Sequence, residues 1–442
     1  MTQIFRADLF HTPRRGSIER IDDALIVLRD GMIEAVLPPG DPDRTAHDGA
    51  EITDLRGRGA LLPGFVDLHI HAPQFPQLGQ SLDVPLEVWL QTHTFPLEAR
   101  YSDIGYADRV YRALVRTLLA NGTTTALYFA TIHHESSLRL AEICLEMGQR
   151  ALVGKVAMDL PGECPDYYRD ASPEAAIEGT AAFLEAVPAI RGNSGLVKPV
   201  ITPRFIPSCS DKVLQALGDM AGESGAHVQT HCSESDWEHG HVLHRCGQSD
   251  TAALNDFGLL RRHTVLAHSN LIGEDDMALI AGAGAGVAHC PLSNIYFSNA
   301  VFPLRRALEK GLRVGLGTDI SGGPSASLFD TTRMAISASR LLEEGVDPTR
   351  GPETRGTPES RIDFRTAFWL ATMGGADTLD LPVGCFAPGR QFDAMLVALP
   401  PDHLVGADLP GDALLQKIVM LATRDSVRAT WVAGRKVHDA GG

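Results

Sequence analysis

Two histidines separated by one residue, His69 and His71, carry the first chemical signal in this sequence. They follow the apolar segment 65–68, which has the character of a buried β-strand. Because alternate residues of a strand point to the same side, the two imidazoles are expected to project together. Such a pair is a good start for a zinc site, which takes nitrogen ligands at ~2.0–2.1 Å. Histidines also fall at this spacing by chance, so the prediction depends on further ligands.

Three more residues suited to metal chemistry, His231, His268 and Asp319, stand at the ends of later apolar segments. If those segments are parallel strands of one barrel, their ends lie on one rim, where barrel enzymes keep their active sites. A zinc ion bound there would lower the pKa of a water molecule to about 7. The metal ligands predicted in this way are His69, His71, His231 and Asp319, with His268 close by.

Each of these residues alone has a structural explanation. A strand-end histidine can be a hydrogen-bonded cap, and Asp319 could cap the next helix. Their occurrence at equivalent strand ends is hard to explain by packing, which favours the metal site. Glu234, three residues after His231, is a candidate proton shuttle. A single metal is favoured because Lys198 lies at the wrong end of the fourth segment to bridge two ions.

The elements that must position these residues alternate between short valine- and threonine-rich segments and longer helical stretches. Eight short segments begin near Phe65, Thr123, Leu152, Val197, His227, Thr264, Gly286 and Arg313. The helical candidates are 106–121, 136–148, 173–186, 211–224, 274–283 and 304–311. Eight strand–helix repeats predict a (β/α)₈ barrel of the TIM type. The alternative is an open doubly wound sheet, but no glycine-rich nucleotide loop follows the first segment.

The two ends of the chain predict a second, smaller unit. Segments 24–28 and 32–36 flank Asp30-Gly31, a dipeptide typical of a hairpin turn. These strands are too few to bury a core alone, and the strand-like segments at the other end of the chain are suitable partners. We therefore expect a small β-sandwich built from 1–62 and 385–442, with a catalytic barrel at 63–384 between them.

Composition limits the classes of function. The chain has 442 residues, 44% of them hydrophobic, and 39 basic against 55 acidic residues give a formal net charge of −16. An acidic surface repels phosphate backbones, which argues against a nucleic-acid partner. No apolar run reaches membrane-spanning length and the first residues lack a signal-peptide pattern, so no membrane partner and a cytoplasmic location are expected. The seven scattered cysteines are predicted to be reduced thiols.

Longer motifs resemble those of the amidohydrolase superfamily and, within it, of the guanine deaminase family. The resemblance covers nearly the whole chain. The His-x-His pair is typical only of the superfamily. Three motifs are more specific to the guanine deaminases: Thr-Phe-Pro at 94–96, Tyr-Phe-Ala-Thr-Ile-His at 128–133, and Thr-Pro-Arg-Phe at 202–205.

This resemblance implies hydrolysis of guanine to xanthine and ammonia by a homodimer that carries one zinc ion per subunit. It assigns zinc binding to the four predicted ligands, and it gives His268 and Asp319 the task of orienting and deprotonating the water. Glu234 would carry the proton to the ring nitrogen beside the attacked carbon. It implies substrate contacts from Gln74, Arg204, Phe205, His231, Glu234 and Asp319.

The chemistry of two of these side chains fits a purine. Arginine is a fork of donors that suits a carbonyl oxygen, and the amide of Gln74 can both donate and accept along a ring edge. A site that hydrogen-bonds such groups can reject analogues lacking them by ~10⁴-fold or more. The structural alternatives are an Arg204 paired with a surface carboxylate and a Gln74 that is only a loop residue.

Segment 235–247 departs from the family pattern. Its histidines, His239, His241 and His244, could bind another metal, although a solvated helix face is the favoured interpretation. If the segment lined the pocket, the preferred purine would change. His133 and His289 are either neighbours of the pocket or ordinary barrel histidines.

Other functions remain open at this point. His133-His134-Glu135 fits the first half of a different deaminase motif, but no Pro-Cys-x-x-Cys follows. The rivals within enzymes are deamination of another aminated heterocycle, such as 8-oxoguanine or a pterin, and opening of a cyclic amide. The rival outside enzymes is a barrel that serves only as a binding scaffold.

Overall fold

Two sheets organise the computed structural model, which describes residues 2–297, 300–407 and 409–441. One sheet joins both ends of the chain and the other is a ring of parallel strands. The strands in the described residues are β1 (Thr2–His11), β2 (Glu19–Arg29), β3 (Met32–Leu37), β4 (Thr53–Asp54), β5 (Ala60–Pro63), β6 (Phe65–His71), β7 (Thr123–Phe129), β8 (Arg150–Gly154), β9 (Val156–Ala157), β10 (Val197–Pro203), β11 (His227–Cys232), β12 (Thr264–His268), β13 (Gly286–His289), β14 (Arg313–Leu316), β15 (Ala394–Val397), β16 (Val427–Val432) and β17 (Arg435–Asp439).

Helices cover the outside of the ring and connect its strands. They are α1 (Leu86–Trp89), α2 (Phe95–Ala99), α3 (Ile104–Ala120), α4 (His134–Met147), α5 (Pro173–Ala189), α6 (Asp211–Ser224), α7 (Asp236–Cys246), α8 (Asp250–Asp256), α9 (Glu274–Ala283), α10 (Pro291–Phe297), α11 (Leu304–Glu309), α12 (Leu328–Glu344), α13 (Pro352–Arg355), α14 (Phe364–Trp369), α15 (Gly375–Thr378) and α16 (Ala413–Leu421). Two π-helical segments, Leu90–Thr94 and Leu370–Gly374, interrupt this pattern. Among the described residues, no helix is both long and apolar enough to cross a bilayer.

The parallel strands follow one another around the ring in the order β6-β7-β8-β10-β11-β12-β13-β14. Backbone hydrogen bonds close it: the N–H of Asp319 donates to the carbonyl of His69 at 2.9 Å, and that of His71 to Ile320 at 2.8 Å. Each predicted segment falls on one of these strands, and the predicted barrel is confirmed. Strand β7 shows why the prediction works, because all of its residues are buried, as is typical of a parallel strand covered on both faces.

Helix α3 shows how sequence fixes the outer layer. The Asp103 side chain caps its first turn by accepting from the backbone N–H groups of Gly105 and Tyr106. Its buried residues, among them Tyr111 and Leu118, recur at helical spacing and face the barrel. All six predicted helices are present. Segment 235–247 is also helical, as its favoured interpretation predicts, and forms α7.

Gly317 allows the ring to close tightly beside the histidines. A Cβ atom on Gly317 would lie 2.8 Å from Cβ of His69 and 2.9 Å from Sγ of Cys290. Any larger residue would push the end of β14 away from β6. The close approach at Gly317 therefore brings Asp319, two residues later, beside the histidine pair.

The terminal sheet has the strand order β17-β16-β15-β5-β1-β2-β3, with β4 beside β1. Its strands share a core in which Phe5 stacks on Phe392 at 4.7 Å and meets the edge of Trp431 at 5.9 Å. Asp30 and Gly31 turn the β2–β3 hairpin with positive φ angles, as their sequence predicts. The two ends of the chain thus complete one sheet, as expected.

Candidate active site

Five polar side chains meet where four strands of the ring end. His69 and His71 project together from β6, with ring centroids 4.8 Å apart, and His231 and His268 come from β11 and β12. Asp319 follows β14 and lies 3.3 Å from Nε2 of His69 and 3.9 Å from Nε2 of His268. All five are buried. The structure therefore brings together the residues predicted to hold and use a metal.

The geometry of this cluster fits a metal ion. The ligand atoms of His69, His71 and His231 all lie within 4.8 Å of one another, and so do those of His69, His268 and Asp319. Nε2 of His69 and Nε2 of His268 are buried without a hydrogen-bond partner, and unpaired buried polar atoms are costly. A cation among these nitrogens and the carboxylate would satisfy them, so these residues could hold a divalent metal.

The ionisation of the cluster agrees with metal binding. Burial, reinforced by the neighbouring His69, keeps the pKa of His71 and of His231 well below its usual value. These imidazoles are therefore neutral, which is the form that binds a metal. Burial opposes the charged form of Asp319, but interaction with His69 prevails and its pKa is well below the ordinary range. The site thus offers neutral nitrogens and one carboxylate.

Neighbouring groups fix the orientation of the histidine rings. Nδ1 of His231 donates to the backbone carbonyl of Arg204 at 2.7 Å, and Nδ1 of His268 donates to Oδ1 of Asn294 at 2.9 Å. With these protons on Nδ1, each Nε2 is left to face the centre of the cluster. Sequence reasoning gave Asn294 no role. The Ala-His-Cys-Pro motif at 288–291, which ends two residues before Ser293-Asn294, was the available signal.

Glu234 stands beside the cluster, two residues after the end of β11. Its Oε1 lies 3.6 Å from Nε2 of His268, and its backbone N–H donates to Oε2 of Glu238 at 2.7 Å. Burial and then the negative charge of Asp319 raise the pKa of Glu234 to about 8. A carboxyl group that titrates near neutrality can both give and take a proton at working pH.

The cluster opens into a pocket with a polar wall and an apolar wall. The lining residues are His71, Gln74, Leu86, Trp89, Leu90, Arg204, Phe205, His231, Glu234, Phe297, Asp319 and Gly322. This set includes each residue predicted to contact a substrate. Neither His133 nor His289 lines it.

Sequence reasoning missed the residue that organises the polar wall, Glu98. Nη1 and Nη2 of Arg204 donate to its two oxygens at 2.7 and 3.1 Å, and Nε2 of Gln74 donates to Oε1 at 2.8 Å. Oε1 of Gln74 accepts from the backbone N–H of Ser321 at 3.2 Å. Arg204 is thus paired with a fully buried carboxylate rather than a surface one. Glu98 lies two residues after the Thr-Phe-Pro motif, which was the available signal.

The apolar wall comes from the long connection between β6 and α3 and from α10. The ring of Trp89 meets that of Phe297 with centroids 5.1 Å apart, and Leu86 and Leu90 extend the surface. These residues were not predicted because apolar residues at such spacing are indistinguishable from core residues in the sequence.

The histidines of segment 235–247 take no part in this centre. His239 pairs through Nδ1 with Oδ2 of Asp250 at 3.0 Å, and the ring of His241 lies 6.1 Å from that of Trp237. Within the described ranges, every group of side chains close enough to share a metal belongs to the cluster at the strand ends. The structure thus gives no support to a second metal site on α7.

Comparisons with known proteins agree with this geometry. The model of the Amidohydrolase family matches residues 60–437. Guanine deaminase of Homo sapiens is 35% identical over 453 residues, covering 99% of this chain and 97% of that protein. A probable guanine deaminase of Schizosaccharomyces pombe is 34% identical over 449 residues, covering 98% and 83%.

A solved structure extends the comparison to the fold. The crystal structure of guanine deaminase from C. acetobutylicum, with bound guanine in the active site, superimposes with a TM-score of 0.89 and 31% sequence identity. The match covers 99% of this chain and 100% of that one. The chain therefore belongs to the Amidohydrolase family, among the guanine deaminases of that family.

Proposed function

We propose that this protein catalyses the zinc-dependent hydrolysis of guanine to xanthine and ammonia. The observation that carries the proposal is one pocket in which the metal-binding cluster, Glu234 and the Arg204–Gln74 wall face the same space. The full-length relatives that are named guanine deaminases support it.

One zinc ion per subunit would be held by His69, His71, His231 and Asp319. Three nitrogens and one carboxylate, with an open position, are a donor set that zinc accepts. When bound, zinc lowers the pKa of a water molecule to about 7 and supplies a nucleophile at neutral pH.

The chain's own residues manage the protons. His268 and Asp319, whose Nε2 and Oδ2 lie 3.9 Å apart, orient the water, and Asp319 accepts its proton. Glu234 passes a proton to the ring nitrogen beside the attacked carbon, which removes charge from the ring as the carbon becomes tetrahedral. The amino group takes the proton held by Asp319 and leaves as ammonia, while Glu234 recovers a proton from the new hydroxyl group as that group becomes the carbonyl of xanthine.

The polar wall recognises the base. The guanidinium of Arg204 donates to the carbonyl oxygen of guanine, and Gln74 reads an adjacent ring edge. Phe205 and the apolar wall pack against the faces of the ring and keep water from it. We further propose that the protein acts in the cytoplasm as a homodimer, as the resemblance to its family implies.

Assay of a small panel of purines and pterins tests the substrate. Purified protein should convert guanine to xanthine with release of one ammonia, faster than it acts on 8-oxoguanine or any pterin. A faster rate on another compound would overturn the assignment of guanine. Metal analysis of the same sample should find one zinc per chain, and a fully active protein without metal would overturn the zinc dependence.

A further inference from the structure

The arginine of the polar wall brings no net charge to the pocket. Arg204 and Glu98 form a two-pronged ion pair in which both side chains are almost completely buried. Burial disfavours the arginine cation, but Glu98 outweighs this effect and raises the pKa of Arg204. The guanidinium also lies over the ring of Phe95, 5.0 Å from its centroid. The cation, which lines the pocket, is therefore balanced by a carboxylate that lies behind it, outside the set of lining residues.

The same carboxylate also fixes the second reader of the base. Nε2 of Gln74 donates to Oε1 of Glu98, and the other end of that amide accepts from the backbone of Ser321. Both ends of the amide are thereby used, so Gln74 cannot rotate without losing a buried hydrogen bond. One buried acidic group thus determines both the charge of the wall and the direction of its donors.

We propose that Glu98 is a specificity-determining residue that makes this pocket select a neutral purine and reject an anionic one. The inference rests on the proposed function and deepens it. Guanine is neutral at physiological pH, whereas its product xanthine is the stronger acid. An unbalanced guanidinium would hold anionic purines, including xanthine, by direct charge attraction. With Glu98 present, that attraction is cancelled and the product is released.

The test compares two substrates of the same shape and different acidity. In 8-azaguanine a nitrogen replaces the C8–H of guanine, which makes the ring a stronger acid, so it is largely an anion in mildly alkaline buffer. The quantity measured is kcat/KM for 8-azaguanine divided by kcat/KM for guanine. Because both substrates use the same enzyme groups, the titration of Glu234 and of the metal cluster cancels in this ratio.

Three variants separate charge from geometry. Glu98→Gln keeps the size but leaves Arg204 unbalanced, and it should shift the ratio toward 8-azaguanine by about tenfold or more. Glu98→Asp keeps the charge at a shorter reach, so both rates should fall while the ratio stays near the wild-type value. In the double variant Glu98→Gln with Arg204→Gln, both charges are gone and the ratio should return toward wild type. Xanthine should inhibit the Glu98→Gln variant more strongly than the others.

An unchanged ratio in Glu98→Gln, or an equal shift in Glu98→Asp, would overturn the inference and leave Glu98 as a packing partner only. If Glu98→Gln does not fold, the wild-type protein still gives an answer. Its ratio should fall as rising pH ionises 8-azaguanine, and a constant ratio would contradict the proposal. Absence of guanine turnover in the wild-type protein would instead defeat the proposed function, so the two failures are distinguishable.

Discussion

The two halves of the pocket are built in different ways. The metal half consists of His69, His71, His231, His268 and Asp319, all at or just beyond the ends of ring strands. The base half consists of Gln74, Glu98, Arg204 and the apolar wall formed by Leu86, Trp89, Leu90 and Phe297. Most of its members stand on connections and short helices rather than on strands.

The proposed roles of the two halves would account for this difference. Metal ligands need positions fixed to within a fraction of an ångström, and strand ends held in a closed hydrogen-bonded ring provide them. A base-binding wall must change between relatives that accept different substrates, and connections tolerate such changes better than strands. If the halves divide the work in this way, variants in the metal half should lower kcat and metal content, and variants in the base half should affect substrate capture.

The largest effect is expected from Asp319→Asn. An amide is a weak metal ligand and cannot accept the proton of the water, so kcat should fall by about 10⁴-fold and bound zinc should decrease. The control is Asp275→Asn, which makes the same change at an exposed position of α9. Retention of both zinc and turnover in Asp319→Asn would remove this residue from the metal half.

Glu234→Gln, between the two halves, tests proton transfer apart from metal binding. The variant should keep its zinc and lose roughly 10³-fold in kcat, because a positioned proton carrier is worth ~10²–10⁴-fold. Its pH–rate profile should also lose the limb near the raised pKa of Glu234, about 8. The exposed Glu223→Gln on α6 is the matched control. Normal turnover in Glu234→Gln would exclude the residue from the mechanism.

Asn294→Ala tests whether the hydrogen bond from His268 to Asn294 holds that histidine of the metal half in place. Without the acceptor at 2.9 Å, the ring of His268 can rotate or change tautomer, and activity should fall by ~10–100-fold. Steady-state kinetics and zinc content together measure the effect, with the exposed Asn255→Ala on α8 as control. An unchanged kcat would show that packing alone orients His268.

The smallest effect is expected from Trp89→Leu in the base half. Loss of the aromatic contact with Phe297 should raise KM for guanine severalfold, since such ring pairs contribute ~0.5–1.5 kcal/mol. Zinc content and kcat should stay close to wild type. Tyr167→Ala, an aromatic truncation at the surface, is the control. A loss of kcat larger than the change in KM would contradict the division into two halves.

The barrel and the residues of the metal half could be predicted from the sequence because their signals lie within short segments of the chain. Segments such as 123–129 are uniformly apolar or β-branched because parallel strands are buried on both faces, and His69 and His71 stand at the end of such a segment. The strand pattern therefore predicts which residues lie at the rim of the barrel, and the residues of the metal half are among them. The domain limits at 62 and 384 and the roles of the individual side chains stay predictions.

Sequence by itself determined the barrel, the terminal sheet and the side chains that converge at the strand ends. The reason is that the spacing and the type of buried residues in a strand or helix can be recognised in the local sequence. Only the tertiary structure decided that Glu98 lies behind Arg204, 106 positions away, and that Trp89 faces Phe297. Neither a buried carboxylate nor an apolar residue occurs at a sequence spacing that identifies the distant residue it contacts. Those partners are set by how a long connection folds over the open end of the ring, which depends on packing between distant parts of the chain.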